Sequence, residues 1–140
     1  KKFYICFMDN QPFGVIYYDV FRTGNNIEFG YYLIDEKYVN SGLGIVMEYM
    51  LLNHAFYELN VHKVFCRTMT SNEKVVSLHA NFGFITEGVL KEHIKINEEY
   101  TDITVQAMFK SKWEECKKRV EKYVQLIIDI NDIPKTFMEG

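Results

Sequence analysis

Proline is almost missing from this chain, with two among 140 residues, and no Ser/Gly-rich stretch interrupts it. A flexible linker between domains is therefore excluded, and the length suits one domain. Residues 1–128 are expected to form that domain, with residues 129–140 as a tail of no clear period. No apolar run approaches the roughly 20 residues that a membrane span requires. A basic excess is missing too: 16 Lys and Arg stand against 19 Asp and Glu, a net charge of −3, which argues against a nucleic-acid partner. The three cysteines, Cys6, Cys66 and Cys116, match no zinc or redox spacing and read as reduced thiols within the core. No two of the four histidines share ligand spacing, so no metal is expected. Nothing in Lys1-Lys2-Phe3 resembles a secretory leader, and the expected location is the cytoplasm.

What the chain does have is apolar pattern. Hydrophobic residues make up 48% of it, enough for a core without staples. Aromatic and β-branched residues predict strands over residues 3–8, 13–21 and 27–34, joined by Asx- and Gly-containing turns. From Gly42 to about Leu59 apolar side chains recur at helical spacing, with Leu43, Val46, Met47, Met50 and Leu51 as the main stripe. A strand is expected over residues 63–69. A capping-box pattern, Thr70 to Glu73, then opens a helix that Gly83 stops. Residues 84–96 and 100–109 read as a hairpin. A second capping box, Ser111 to Glu114, opens an amphipathic helix with the stripe Trp113, Cys116, Val120, Tyr123 and Ile127. The order β-β-β-α-β-α-β-β-α predicts an α/β (α+β) fold with a mixed sheet.

The stretch from Leu33 to Gly44 is the most informative one. A strand ends, a polar loop turns, and two glycines one residue apart open the long helix. Unpaired amides at a helix start, approached closely past glycine, make an anion cradle that the helix dipole reinforces. No Gly-Lys-Ser/Thr follows, so it is not a Walker loop, and a third glycine for a dinucleotide fingerprint is missing.

Strand, Gly-x-Gly loop, helix, strand, and then Asn72 opening a helix that ends Phe82-Gly83-Phe84 together resemble the GNAT acyltransferase superfamily. The likeness covers nearly the whole chain from Phe3 to Trp113. It implies a mostly antiparallel mixed sheet flanked by helices, with acetyl-coenzyme A as acyl donor. The family loop reads Gln/Arg-x-x-Gly-x-Gly/Ala and holds the coenzyme pyrophosphate. Gly42 and Gly44 match it, while Val39 replaces Gln/Arg. By the resemblance, Val39, Asn40, Ser41, Gly42, Leu43 and Gly44 form the pyrophosphate site. Leu33 and Ile34 line the pantetheine arm, the Ile34 amide serves as oxyanion donor, and Asn72 touches the coenzyme.

His79 stands where many relatives carry a tyrosine that protonates the departing thiolate. Two readings stay open: an imidazolium acid, or a core histidine satisfied by the backbone. Glu28 matches a position where relatives often carry a base for the acceptor amine; its alternative is an exposed carboxylate. His93 is a secondary candidate for acceptor contact, and His54 and His62 are expected to be structural or solvent-facing. Within the superfamily, Glu28-Phe29-Gly30 and Gly88 to His93 look most like the aminosugar-nucleotide N-acetyltransferases of pseudaminic acid synthesis. That likeness implies a small-molecule amine acceptor, the 4-amino group of a UDP-linked sugar. The alternatives are a polyamine or protein N-terminal acetyltransferase, or a non-catalytic acyl-coenzyme A module. A homodimer is a further expectation. The family usually begins with a strand and two helices that wall the acceptor site, and this chain starts at what looks like the next strand. The helix from about residue 111 is expected to cover that gap or to pack on a second subunit.

Overall fold

A computed structural model of the chain describes residues 1–129. Residues 130–140, nearly all of the expected tail, lie outside the described residues. Six strands form one sheet: β1 (Lys2–Met8), β2 (Gln11–Phe21), β3 (Asn26–Leu33), β4 (Lys63–Met69), β5 (Ile85–Ile96) and β6 (Glu99–Phe109). Their spatial order is β1-β2-β3-β4-β6-β5. Turn chemistry explains the tight hairpins, since Asp9, Asn10, Asn25 and Asn97 all take positive φ, a conformation Asx residues tolerate. Among the described residues there are three α-helices: α1 (Leu43–Asn53), α2 (Glu73–Phe82) and α3 (Lys110–Gln125). A π-helical turn, His54–Glu58, prolongs α1, so the predicted long helix changes its hydrogen-bond period before it ends.

Every neighbouring pair of strands is antiparallel except β3 and β4. That parallel contact is short, matching Asn26 with Lys63, Ile27 with Val64 and Glu28 with Phe65. Beyond those rungs β3 stays paired to β2 as far as Leu33, and β4 stays paired to β6 as far as Met69. The two halves of the sheet therefore splay, and a fork opens at the level of Phe29 and Cys66. Backbone groups on the facing edges lose their ladder partners there.

The alternation in each strand sorts side chains by face. Ile16, Tyr18, Ile27, Phe29, Val64, Cys66 and Met108 are buried under the helices. Helix α3 runs back along α1, because Trp113 Nε1 donates to Asn53 Oδ1 at 3.0 Å, Tyr49 bonds Glu121, and Ile127 lies against Gly42. It also crosses the end of α2, where Arg119 donates to the carbonyls of Asn81 and Phe82. The last helix thus joins the covered face and does not fill the gap expected on the other. There Phe3, Ile5, Phe7 and Tyr32 remain exposed.

Three details differ from the sequence pattern. Neither expected capping box forms: the cap of α2 is Asn72, that of α3 is Phe109, and neither supplies a side-chain bond. In α3 the buried stripe is Trp113, Cys116, Val120 and Val124, with Tyr123 turned to solvent, because the contact with α1 keeps a straight helical period. Finally, Glu48 is fully buried within the apolar stripe of α1. The cysteines behave as expected, all three free and buried.

Candidate active site

The fork leads directly into the Gly-x-Gly loop. Asp35 accepts a bond from the Lys37 amide and caps the short 3-10 turn Glu36–Tyr38. Ser41 then folds the chain back: its amide donates to the Tyr38 carbonyl at 3.1 Å and its Oγ accepts from the Leu43 amide at 3.2 Å. Gly42 has φ of +84°, a left-handed position that suits glycine. A Cβ added there would lie 2.7 Å from Ile127 Cδ1. The Val39 amide is spent on Glu36. Among the described residues, the amides of Asn40, Gly42 and Gly44 have no hydrogen-bond partner. They stand at the start of an 11-residue helix, where the dipole favours an anion. From α2, the Lys74 ammonium reaches Asn40 Oδ1 and brings a positive charge to the loop. Unpaired donors beside a cation, with glycine at the point of closest approach, fit a coenzyme diphosphate. The cradle is smaller than the sequence suggested, since Val39, Ser41 and Leu43 use their amides internally.

The backbone groups of Leu33 and Ile34 face opposite ways. The Ile34 amide donates to the Phe13 carbonyl at 2.9 Å, so it cannot serve as the expected oxyanion donor. Alternate residues of an antiparallel strand present their backbone groups to opposite neighbours. Leu33, Tyr31 and Phe29 therefore turn theirs toward the fork. By the phase of the β2–β3 ladder, the amide that faces the fork is that of Leu33. Asn72 caps α2 through its backbone, its carbonyl accepting from the Val76 amide at 3.1 Å.

At the apex of the fork lies a buried polar cluster drawn from five elements. His79 on α2 is only 2% exposed, and Glu48 on α1 not at all. Nε2 of His79 meets Glu48 Oε1, while Nδ1 lies 3.2 Å from Gln106 Oε1 and 3.5 Å from Cys66 Sγ. Gln106 donates from Nε2 to the Val76 carbonyl, which leaves its Oε1 to accept. Nδ1 is thus a donor, and Nε2 faces the Glu48 carboxyl group. Burial alone pushes the imidazole pKa down, but the Glu48 charge and the bonds to Cys66 and Glu48 carry it up to about 11. Tyr31, over Gly44, has its hydroxyl pKa raised by burial and then by the same carboxylate. Glu48 Oε2 has no partner among the described residues, a rare condition for a buried carboxylate oxygen.

His79 is thus a core histidine, satisfied by side chains where a backbone carbonyl was the alternative, and its own N–H groups do not open on the fork. Glu48 was missed because a single carboxylate in an apolar helix ordinarily faces solvent. Glu28 faces away from the helices, where Arg67 Nε holds it at 2.5 Å and Asp19 is its neighbour on β2. His93 sits exposed on β5, the outermost strand, with β6 between it and β4. The fork does not gather it in. His54 is buried with Tyr18 at 3.1 Å and Glu58 at 3.0 Å, a structural position as expected. His62 is exposed and packs edge-on against Phe109.

Comparison with known proteins agrees with this arrangement. Residues 1–105 match the family model described as an acetyltransferase (GNAT) domain. The spermidine N(1)-acetyltransferase of Vibrio cholerae serotype O1 is 30% identical over 81 residues, covering 58% of this chain and 47% of that protein. A putative ribosomal N-acetyltransferase of Bacillus subtilis strain 168 is 26% identical over 95 residues, covering 66% and 50%. The chain thus spans about half the length of these curated relatives. A solved variant of the Vibrio cholerae spermidine N-acetyltransferase superposes with a TM-score of 0.75 at 23% identity, over 79% of this chain and 66% of that one, a likeness of fold. These relatives are named for polyamine and ribosomal acceptors, and they lend the nucleotide-sugar expectation no support. With three quarters of its length inside the family model, and the fork and loop in place, the chain belongs to the GNAT acetyltransferase domain family.

Proposed function

We propose that this protein transfers an acetyl group from acetyl-coenzyme A to a primary amine of the polyamine class. The observation that carries the reading is the fork between β3 and β4 leading into the unpaired amides of Asn40, Gly42 and Gly44, with Lys74 beside them. A diphosphate held at the loop directs the pantetheine arm into the fork, where the turned-out backbone of Leu33 and Tyr31 offers it strand-like partners. Asn72, next to Lys74, is assigned a contact with that arm.

The acceptor class is supported by the relative named for spermidine and by the charge beside the fork. On the bare face Glu28 and Asp19 are cross-strand neighbours, one bound to Arg67 and the other to the N-terminal ammonium, and a polycation is expected to compete for both carboxylates. Glu28 is assigned the role of taking the proton that the amine loses, directly or through water.

The test combines calorimetry with acetyl-coenzyme A and thiol release over spermidine, a peptide with a free N-terminus and a 4-amino-sugar nucleotide. Binding, with the fastest thiol release for spermidine, is expected. Fastest release for either other acceptor would overturn the polyamine assignment, and absence of binding would overturn the transferase.

A further inference from the structure

Cys66 is the first residue of β4 beyond the last rung shared with β3, so its side chain lies at the apex of the fork. Its Sγ accepts from the His79 Nδ1–H, whose orientation Gln106 settles. A thiol sulfur that accepts from one side keeps its own S–H for another partner. Behind His79 stands the wholly buried Glu48, with one oxygen on Nε2 and the other without a partner among the described residues. Burying an ionised pair costs several kcal/mol per ion even after relaxation. His79, one half of the pair, stands where the resemblance puts the family's usual tyrosine.

We propose that Cys66, His79 and Glu48 form a proton relay, in which the Cys66 thiol is the group that protonates the departing coenzyme thiolate. This rests on the transferase reading above. As the amine nitrogen bonds to the acetyl carbon and the C–S bond breaks, the electron pair stays on the coenzyme sulfur. The Cys66 S–H bond breaks and its proton passes to that sulfur, giving the coenzyme thiol. The Nδ1 proton of His79 passes to Cys66 Sγ and restores its thiol. His79 is left neutral beside Glu48 and regains a proton from water after the products leave. The proton lost by the amine goes to Glu28 or to solvent, so charge and protons balance. Burial raises the Cys66 thiol pKa, so the group still carries its proton when the coenzyme sulfur departs. Cys66 is the catalytic residue of the relay, and His79 and Glu48 are positioning residues. The titratable groups facing His79 are Glu48 from α1 and Cys66 from β4, with the Tyr31 hydroxyl of β3 near the Glu48 carboxylate but not bonded to it. Gln106, Phe29 and Phe84 complete its surroundings without a charge.

The test uses the full chain in two arms. In the first, coenzyme A is titrated into protein carrying labelled histidine. The His79 ring resonances are expected to move in the wild type and to stay still in Cys66→Ala; an unmoved wild-type ring overturns the relay without any turnover being needed. In the second, Cys66→Ala is expected to lower kcat for thiol release by about 100-fold while the calorimetric affinity for acetyl-coenzyme A is kept, with Cys66→Ser between the two. Undiminished kcat in Cys66→Ala, or an acetyl group found on Cys66 by intact mass, overturns the relay and leaves the transferase reading standing. Failure of the wild type to bind acetyl-coenzyme A removes that reading itself.

Discussion

The two faces of one sheet show how unevenly this molecule is held together. On the covered face Ile16, Ile27, Phe29, Val64 and Met108 alternate with the residues of the bare face, yet each is almost wholly buried. On the bare face the same strands present Phe3 at 54% exposure and Tyr32 at 53%. Two carboxylates bound to cationic partners contrast the faces, Glu48 with His79 on the covered one and Glu28 with Arg67 on the bare one. Similar residues at similar strand positions therefore contribute very differently, because solvent reaches one set and not the other.

The largest expected contrast sets Trp113→Ala against Phe3→Ala. Trp113 is fully buried and bonded to Asn53, so its truncation is expected to cost about 3–5 kcal/mol in denaturant unfolding. Phe3 is expected to cost about 0.5 kcal/mol, as exposed positions do. Equal losses would mean that the bare face is covered in solution.

The carboxylates sharpen the same contrast. Glu48→Ala strips the buried His79 of its counter-charge and its Nε2 of a partner, and is expected to cost about 3–5 kcal/mol. Glu28→Ala breaks a pair open to water and is expected to cost at most about 1 kcal/mol. The covered pair also has a pH signature. Since His79 binds its proton more tightly in the folded state, the stabilisation is complete below about 6.5, its ordinary value, and is lost as pH rises through about 11. The unfolding free energy of the wild type relative to Glu48→Gln is therefore expected to shrink over that window, measured by urea titration at successive pH values. A constant difference would show that His79 does not carry the charge.

Much of this was legible in the sequence, and the parts that were not share a cause. Alternation of Ile27, Phe29 and Tyr31 placed Glu28 on the opposite face, and the apolar stripe after Gly42 gave the long helix. Both are local patterns. Glu48 is buried because a histidine 31 residues later folds onto it, and no local pattern carries that information. The shift of the fork-facing amide from Ile34 to Leu33 depends on the phase of a ladder with β2. A reading of one strand's side-chain alternation leaves that phase open. The capping boxes failed for a related reason, since the ends of α2 and α3 are set by the strands from which they leave.

The loop between the two faces supplies the smaller effects. Gly42→Ala puts a side chain on a left-handed backbone and against Ile127, so about 1–2 kcal/mol of stability is expected to go. Coenzyme affinity should fall with it, because the cradle must deform to admit the methyl group. Unchanged binding in calorimetry would mean that the diphosphate sits elsewhere on the loop.

Val39 gives the gentlest probe, since it is 56% exposed and its side chain belongs to neither face. Relatives that carry Gln or Arg there add a side-chain donor to the backbone amides. In the proposed cradle three unpaired amides and the Lys74 ammonium would already meet the anion, so the missing donor is expected to be worth little. Val39→Arg is expected to leave stability unchanged and to tighten acetyl-coenzyme A binding by about 1 kcal/mol, roughly fivefold, as an exposed charge-assisted bond does. The gain should fade with added salt, because the new charge is screened where the amides are not. A gain of a hundredfold would show instead that the amides of Asn40, Gly42 and Gly44 hold the diphosphate poorly, and that the loop depends on the side chain it lacks.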